Sequence, residues 1–130
     1  MCQFAQGIIL CFDICDRNSF TELNNFWVKF AESYANKSIC KLLLVGTKLD
    51  KKVIRKVSFE EAKKFADEMN ICYIETSSMK NVNVDEAFYY IAKEIHKITE
   101  SEVNNNSLVT KPVCFIENQA GPLRNKFKCC

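Results

Sequence analysis

A chain of 130 residues, 48% of them hydrophobic, has room for one small domain and a tail but not for two separate cores. The formal net charge of +2 excludes the strong electrostatic footprint of a nucleic-acid binder. No signal peptide and no apolar run of about 18 residues occur, so the chain is expected neither to span a membrane nor to enter the secretory pathway.

The first buried strand is expected at Gly7 to Phe12, a continuous apolar run (GIILCF) that ends at Asp13. Asp16-Arg17-Asn18 makes a turn, and Ser19 with Glu22 has the spacing of a capping box. Phe20, Leu23, Trp27, Phe30 and Tyr34 follow at helical intervals and predict an amphipathic helix of about four turns, its aromatic stripe turned to the core. The second strand is Leu42 to Val45, too short for a free-standing helix and ended by Gly46, as in a parallel strand covered on both faces. A basic loop, Lys51 to Lys56, precedes a second capping box at Ser58 and Glu61, with Phe59, Ala62, Phe65, Ala66 and Met69 on the apolar face of the helix it opens. Ile71 to Ile74 is the third strand, and Val84, Ala87, Phe88, Ile91 and Ile95 recur with a period near 3.6. Strands alternating with helices in the order β-α-β-α-β-α imply right-handed crossovers and a parallel sheet with helices on both faces.

Eight cysteines raise the question of a disulfide scaffold or a metal site. Cys11, Cys15, Cys40 and Cys72 fall in or beside apolar runs, and no second paired-cysteine cluster exists to complete a zinc site. Reduced, cytosolic cysteines and no metal are the expected state. The single histidine, His96, lies in a predicted helix and reads as an ordinary surface or boundary residue.

In open parallel sheets, ligands sit just beyond the carboxyl ends of the strands, so Thr47, Lys48 and Asp50 are expected to line a crevice. Gly46-Thr47-Lys48-Leu49-Asp50 resembles the guanine-recognition motif, N/T-K-x-D, of Ras-superfamily small GTPases. The resemblance implies that the Asp50 carboxylate accepts two parallel hydrogen bonds, from N1-H and the exocyclic amine of guanine, a pair that adenine does not present. It implies that the Lys48 stem stacks along the base while its ammonium reaches the ribose. Thr47 stands where most Rab and Ras proteins have asparagine and Rho-type members have threonine. Glu75-Thr76-Ser77-Ser78-Met79-Lys80 resembles the second base-binding element, E-T-S-A-K, in which the backbone N-H at the alanine position contacts guanine O6. Ser78 takes that position, between Ser77 and Met79, and Met79 replaces a lysine, which bears on affinity rather than specificity. Asn81 to Phe88 resembles the start of the last helix of Rab proteins, and Ser19-Phe20 with Trp27 resembles their third helix.

The resemblance covers Met1 to about Ile98 and implies the C-terminal half of a P-loop small-GTPase fold, an α/β unit with a three-stranded parallel sheet and flanking helices. Residues 99–130 are expected to form a flexible hypervariable tail, marked by Asn104-Asn105-Asn106-Ser107, Pro112 and Gly121-Pro122. Its end, Cys129-Cys130 behind Arg124, Lys126 and Lys128, resembles the doubly geranylgeranylated terminus of Rab proteins. Two lipid chains give stable anchoring where one gives only marginal membrane residence, and each nearby Lys or Arg adds roughly 1 kcal/mol at an anionic leaflet. The implied partners are an intracellular membrane, the prenylation machinery and Rab effectors, with no nucleic acid. The implied location is the cytoplasmic face of that membrane, with a cytosolic pool.

Nothing in the 130 residues fits G-x-x-x-x-G-K-[ST], and Gly7, Gly46 and Gly121 are the only glycines from which a phosphate loop could be built. The switch threonine and the D-x-x-G-Q segment that position Mg²⁺ and the attacking water in relatives are absent as well. The resemblance begins near the end of the family's second helix. Three readings follow. The first is a Rab-like GTP-binding regulator of vesicle-mediated transport whose phosphate loop and switches lie outside this sequence. The second is a non-enzymatic, lipid-anchored interaction module. The third is an unrelated flavodoxin-like domain. GTP or GDP is the cofactor under the first, with Mg²⁺ held only by the missing half, and no residue of this chain is assigned to catalysis.

Overall fold

Three short apolar runs separated by amphipathic segments can bury both of their faces only as parallel strands between layers of helix. The computed structural model describes residues 6–33 and 40–103, and shows this arrangement. The elements in order are β1 (Gly7–Asp13), α1 (Arg17–Ser33), β2 (Lys41–Thr47), a 3-10 helix (Leu49–Ile54), α2 (Phe59–Glu68), β3 (Cys72–Glu75) and α3 (Val84–Val103). The strands form one parallel sheet in the order β1-β2-β3. Its register sets Asp13 beside Thr47 and Gly46 beside Glu75, which brings three loop origins to one end of the sheet.

Alternation along the strands divides the core in two. On one face Leu10, Phe12, Leu44 and Tyr73 meet Phe20 and Leu23 of α1 and Ala62, Phe65 and Ala66 of α2. Phe12 anchors this side, its ring 4.9 Å from that of Phe20 and 6.0 Å from that of Tyr73. On the other face Leu43, Val45, Cys72 and Ile74 meet Ala87, Tyr90 and Ile91 of α3. Leu43 and Leu44 point to opposite faces and are both fully buried, each contributing roughly 2 kcal/mol of transfer free energy. Gly7 permits the close approach of α3, since a Cβ there would lie 2.7 Å from Ile95 Cδ1.

Several expectations shift. The capping box at Ser58 and Glu61 forms, with the Glu61 N-H donating to Ser58 Oγ at 3.2 Å. The one at Ser19 does not. Helix α1 starts three residues earlier, with Asp16 in the cap position and its Oδ1 accepting from the Asn18 N-H, and the Ser19 hydroxyl instead accepts from the Asp13 N-H at 3.0 Å. An aspartate immediately before the first helical residue competes better for the free N-H groups than a serine already inside the first turn. In α3 the inward positions are Ala87, Tyr90, Ile91 and Glu94, and Phe88 is 61% exposed. The segment read as a basic loop, Lys51 to Lys56, overlaps the 3-10 helix, a tight turn that carries no apolar period to reveal it. Helix α3 continues past the expected boundary at Ile98 to Val103, through a stretch without Gly or Pro to stop it. Cys11, Cys15 and Cys40 are free thiols. The side chains of Trp27 and Phe30, residue Tyr34, and the expected tail with Cys129 and Cys130 lie outside the described residues.

Candidate base-recognition site

The two loops singled out in the sequence leave neighbouring strands at the same end of the sheet and are stitched together by backbone. The Thr76 N-H donates to the Gly46 carbonyl at 2.7 Å, and the Leu49 N-H donates to the Thr76 carbonyl at 3.0 Å. Between them, the Ser77 hydroxyl donates to Asp50 Oδ1 at 2.6 Å. Ser77 is buried, and its Oγ also accepts from the Lys80 N-H at 3.1 Å, so the hydroxyl proton is committed to the carboxylate. That bond is the main reason the Asp50 carboxyl is held below the ordinary carboxylate value, with Lys51 and Lys80 adding to it through space. A carboxylate has about four lone-pair sites, so Asp50 can accept from Ser77 and still receive a paired donor from a ligand.

Lys48 occupies the left-handed region at φ 66° and ψ 36°, a conformation that costs a non-glycine residue on the order of 1 kcal/mol. It is held there by the Lys51 N-H, which donates to its carbonyl, and by Leu49 bonded across to the second loop. Its ammonium pairs with Asp13 Oδ2 at 2.6 Å. Asp13 is fixed in turn by the Cys15 N-H on Oδ1 at 2.8 Å, and partial burial opposes the ammonium and this N-H without preventing a net lowering of its carboxyl. The Thr47 hydroxyl faces the other way and donates to the Phe12 carbonyl at 2.9 Å, tying β2 to the end of β1. Ser78 and Met79 are exposed, Met79 at 82%. Of the six residues expected to line the site, the structure therefore brings Asp50 and Ser77 into contact, sets Lys48 at an ion pair beside them, uses Thr47 as a strand tie, and leaves Ser78 and Met79 open to solvent.

Sequence reading missed the layer beneath. Glu75, fully buried at its side chain, takes both guanidinium nitrogens of Arg55 at 2.6 and 2.7 Å and the Tyr73 hydroxyl at 2.7 Å. Burial first, and the Glu75 carboxylate second, push the Tyr73 phenol far above its ordinary value. Gly46 makes room for this arrangement: a Cβ there would sit 2.5 Å from the Tyr73 hydroxyl oxygen and 3.0 Å from Ile14 Cγ2. Asn83 at φ 57° closes the second loop by donating to the Glu75 carbonyl at 2.8 Å. The available signal was a glutamate, an arginine and a tyrosine in or beside apolar runs, where an unpaired charge is not tolerated.

The Ras family model matches residues 1–97. The chain belongs to the Ras family. It is 39% identical over 106 residues to the GTP-binding protein ypt2 of Schizosaccharomyces pombe, a match that covers 79% of this chain and 52% of that protein. It is 36% identical over 127 residues to the Ras-related protein RABD1 of Arabidopsis thaliana, covering 97% and 60%. It is 35% identical over 132 residues to the Ras-related protein Rab-12 of Rattus norvegicus, covering 97% and 54%. These relatives make it a Rab-type member of the Ras family, and the three-stranded sheet is the matching part of the family's α/β fold. The chain spans between half and three fifths of the length of these relatives.

Proposed function

We propose that this chain is the guanine-recognising part of a Rab-type, GTP-binding regulator of vesicle-mediated transport. The observation that supports it most directly is the Asp50 carboxylate held by the Ser77 hydroxyl at 2.6 Å, at the carboxyl ends of two adjacent parallel strands. A fixed, charged, two-oxygen acceptor suits the N1-H and N2-H pair of guanine, and leaving it unpaired would reject adenine. Asp50 reads the base, Lys48 supplies the stacking stem, the Ser78 backbone N-H meets O6, and Ser77, Thr47 and Met79 shape the pocket. GTP or GDP is the ligand, and Mg²⁺ would be held by phosphate-loop and switch residues that these 130 residues do not contain. The membrane is reached through geranylgeranyl groups on Cys129 and Cys130, added by the prenylation machinery, and effectors are engaged from its cytoplasmic face.

The base contact is testable without phosphates. Guanosine titrated into the labelled 130-residue protein should perturb Asp50, Ser77 and Ser78 amide resonances where adenosine does not, with dissociation in the millimolar range. Equal responses to both nucleosides would remove the reading. GDP should bind this polypeptide little better than guanosine, and no GTP hydrolysis should be measurable; submicromolar, Mg²⁺-dependent binding would contradict that. With a phosphate-loop half supplied, Asp50→Asn should move preference toward xanthine, because the amide presents one acceptor and one donor where the carboxylate presented two acceptors. Cys129→Ser with Cys130→Ser should abolish geranylgeranyl transfer and release the protein from membranes.

A further inference from the structure

The 3-10 helix between β2 and α2 presents Val53 at 93% exposure and Ile54 at 60%, two neighbouring aliphatic side chains directed into solvent. They are not on a loose loop. Leu49 packs against the core at the start of the turn and Val57 is fully buried just after it. The Lys56 and Val57 N-H groups both donate to the Ile14 carbonyl, at 2.8 and 3.1 Å, and the Cys15 thiol donates to the Lys51 carbonyl. Arg55 is clamped bidentately to buried Glu75. The turn is thus a fixed projection whose apolar tip gains nothing from the rest of the fold.

Around that tip stand Lys51, Lys52 and Lys56, all exposed, and none of them forms an ion pair among the described residues. Three of the nearby acids are already engaged: Asp13 with Lys48, Glu75 with Arg55 and Asp50 with Ser77. We propose that this projection is a contact point for an anionic lipid surface, with Val53 and Ile54 entering the headgroup layer and the three lysines lying on its charged plane. The charge calls for an anionic partner. The shape selects a bilayer over an acidic protein, because a convex aliphatic tip needs either a preformed groove or a deformable apolar layer, and a lipid interface supplies the latter anywhere on its surface. This contact belongs to the folded domain and is separate from any lipid carried by the chain's end.

The test uses the unlipidated 130-residue protein and vesicles of phosphatidylcholine with or without one quarter phosphatidylserine. Flotation should show binding only to the anionic vesicles. At roughly 1 kcal/mol for each lysine, K51Q/K52Q should weaken it about thirty-fold. V53S/I54S, which keeps every charge, should weaken it by about tenfold or more. Both variants alter exposed side chains, and unchanged circular dichroism would certify their folds. Vesicles carrying a paramagnetic headgroup should broaden the Val53 and Ile54 methyl signals before others. Equal binding by V53S/I54S and the parent would overturn the proposal by assigning the attachment to lysines elsewhere. Binding that ignores phosphatidylserine would overturn it too. So would binding to soluble poly-glutamate as tight as to vesicles and indifferent to V53S/I54S, which would assign the patch to an acidic protein.

Discussion

The carboxyl ends of β2 and β3 and the outer edge of β1 are solved in opposite ways. At the strand ends polar groups are dense and paired, and among the described residues no buried side-chain nitrogen or oxygen lacks a partner. Along β1, seven residues (GIILCFD) pair with β2 on one side, and among the described residues no strand pairs with the other side of this apolar sequence. The first region specifies geometry and the second invites association, because an unpaired flat edge is a template for another chain.

The sharpest way to break the ordered end is Glu75→Gln. It removes the counter-charge of Arg55 and turns one of the two carboxylate acceptors shared by Arg55 and Tyr73 into a donor, in a site where Arg55 is 21% and Glu75 0% exposed at the side chain. Breaking a buried pair from one side costs roughly 3–5 kcal/mol, and the partial exposure of Arg55 places this case near 2–3 kcal/mol. Urea unfolding should show that loss, and a loss below about 1 kcal/mol would mean that the network is not a structural keystone. Guanosine selectivity measured on the surviving folded fraction would then tell whether the two loops depend on it.

Protonation offers a milder perturbation of the same end. Asp50 and Asp13 both have carboxyls lowered from 3.8 in the folded state, so each contributes stability that is present above the ordinary carboxylate range and is lost as pH falls through the depressed values. Tyr73 acts with the opposite sign. Its phenol is raised, so its contribution is present below about pH 10 and disappears as the unfolded chain ionises above it. Urea midpoints should hold between pH 5 and 9 and fall on either side. In Asp50→Asn and Asp13→Asn the acid slope should flatten, whereas Tyr73→Phe should flatten only the alkaline one. An acid slope unchanged in both carboxylate variants would show that neither ion is engaged as described.

Much of this comparison was legible beforehand, for identifiable reasons. Strands announced themselves as short apolar runs, and Asp50 and Ser77 as residues just beyond two of them, because both signals are local. Pairings between segments distant in sequence were not legible. Arg55 with Glu75 and Lys48 with Asp13 each join groups that the sheet brings together. Phe88 misled because it shares the helical period with Ala87 and Ile91 while sitting at the rim of their stripe.

The open edge can be probed without touching the core. Cys11 is exposed in the middle of β1, between buried Leu10 and Phe12. Cys11→Lys places a charge on the edge strand, the device natural sheets use against edge-to-edge pairing. Stability should change by no more than about 0.5 kcal/mol, as for most surface substitutions, while aggregation followed by light scattering and size exclusion should fall markedly. A parent protein that is already a monomer with a sharp cooperative melt would refute the edge argument outright.

The smallest expected effect sharpens the ordered end. Met79 is 82% exposed and follows Ser78 in the second loop, where the family motif has lysine. Nothing buried depends on it, so Met79→Lys should leave stability within about 0.5 kcal/mol of the parent. In the proposed function its stem would keep the apolar length offered to the base edge, while the added ammonium would join Lys51 and Lys80 in the field acting on Asp50. More positive potential lowers the Asp50 carboxyl further without altering the two acceptor positions that distinguish guanine from adenine. Guanosine should therefore bind a few-fold more tightly, with its preference over adenosine unchanged. A changed preference would place residue 79 in base readout itself, and would make the division between the carboxylate that selects and the loop that only adds affinity untenable.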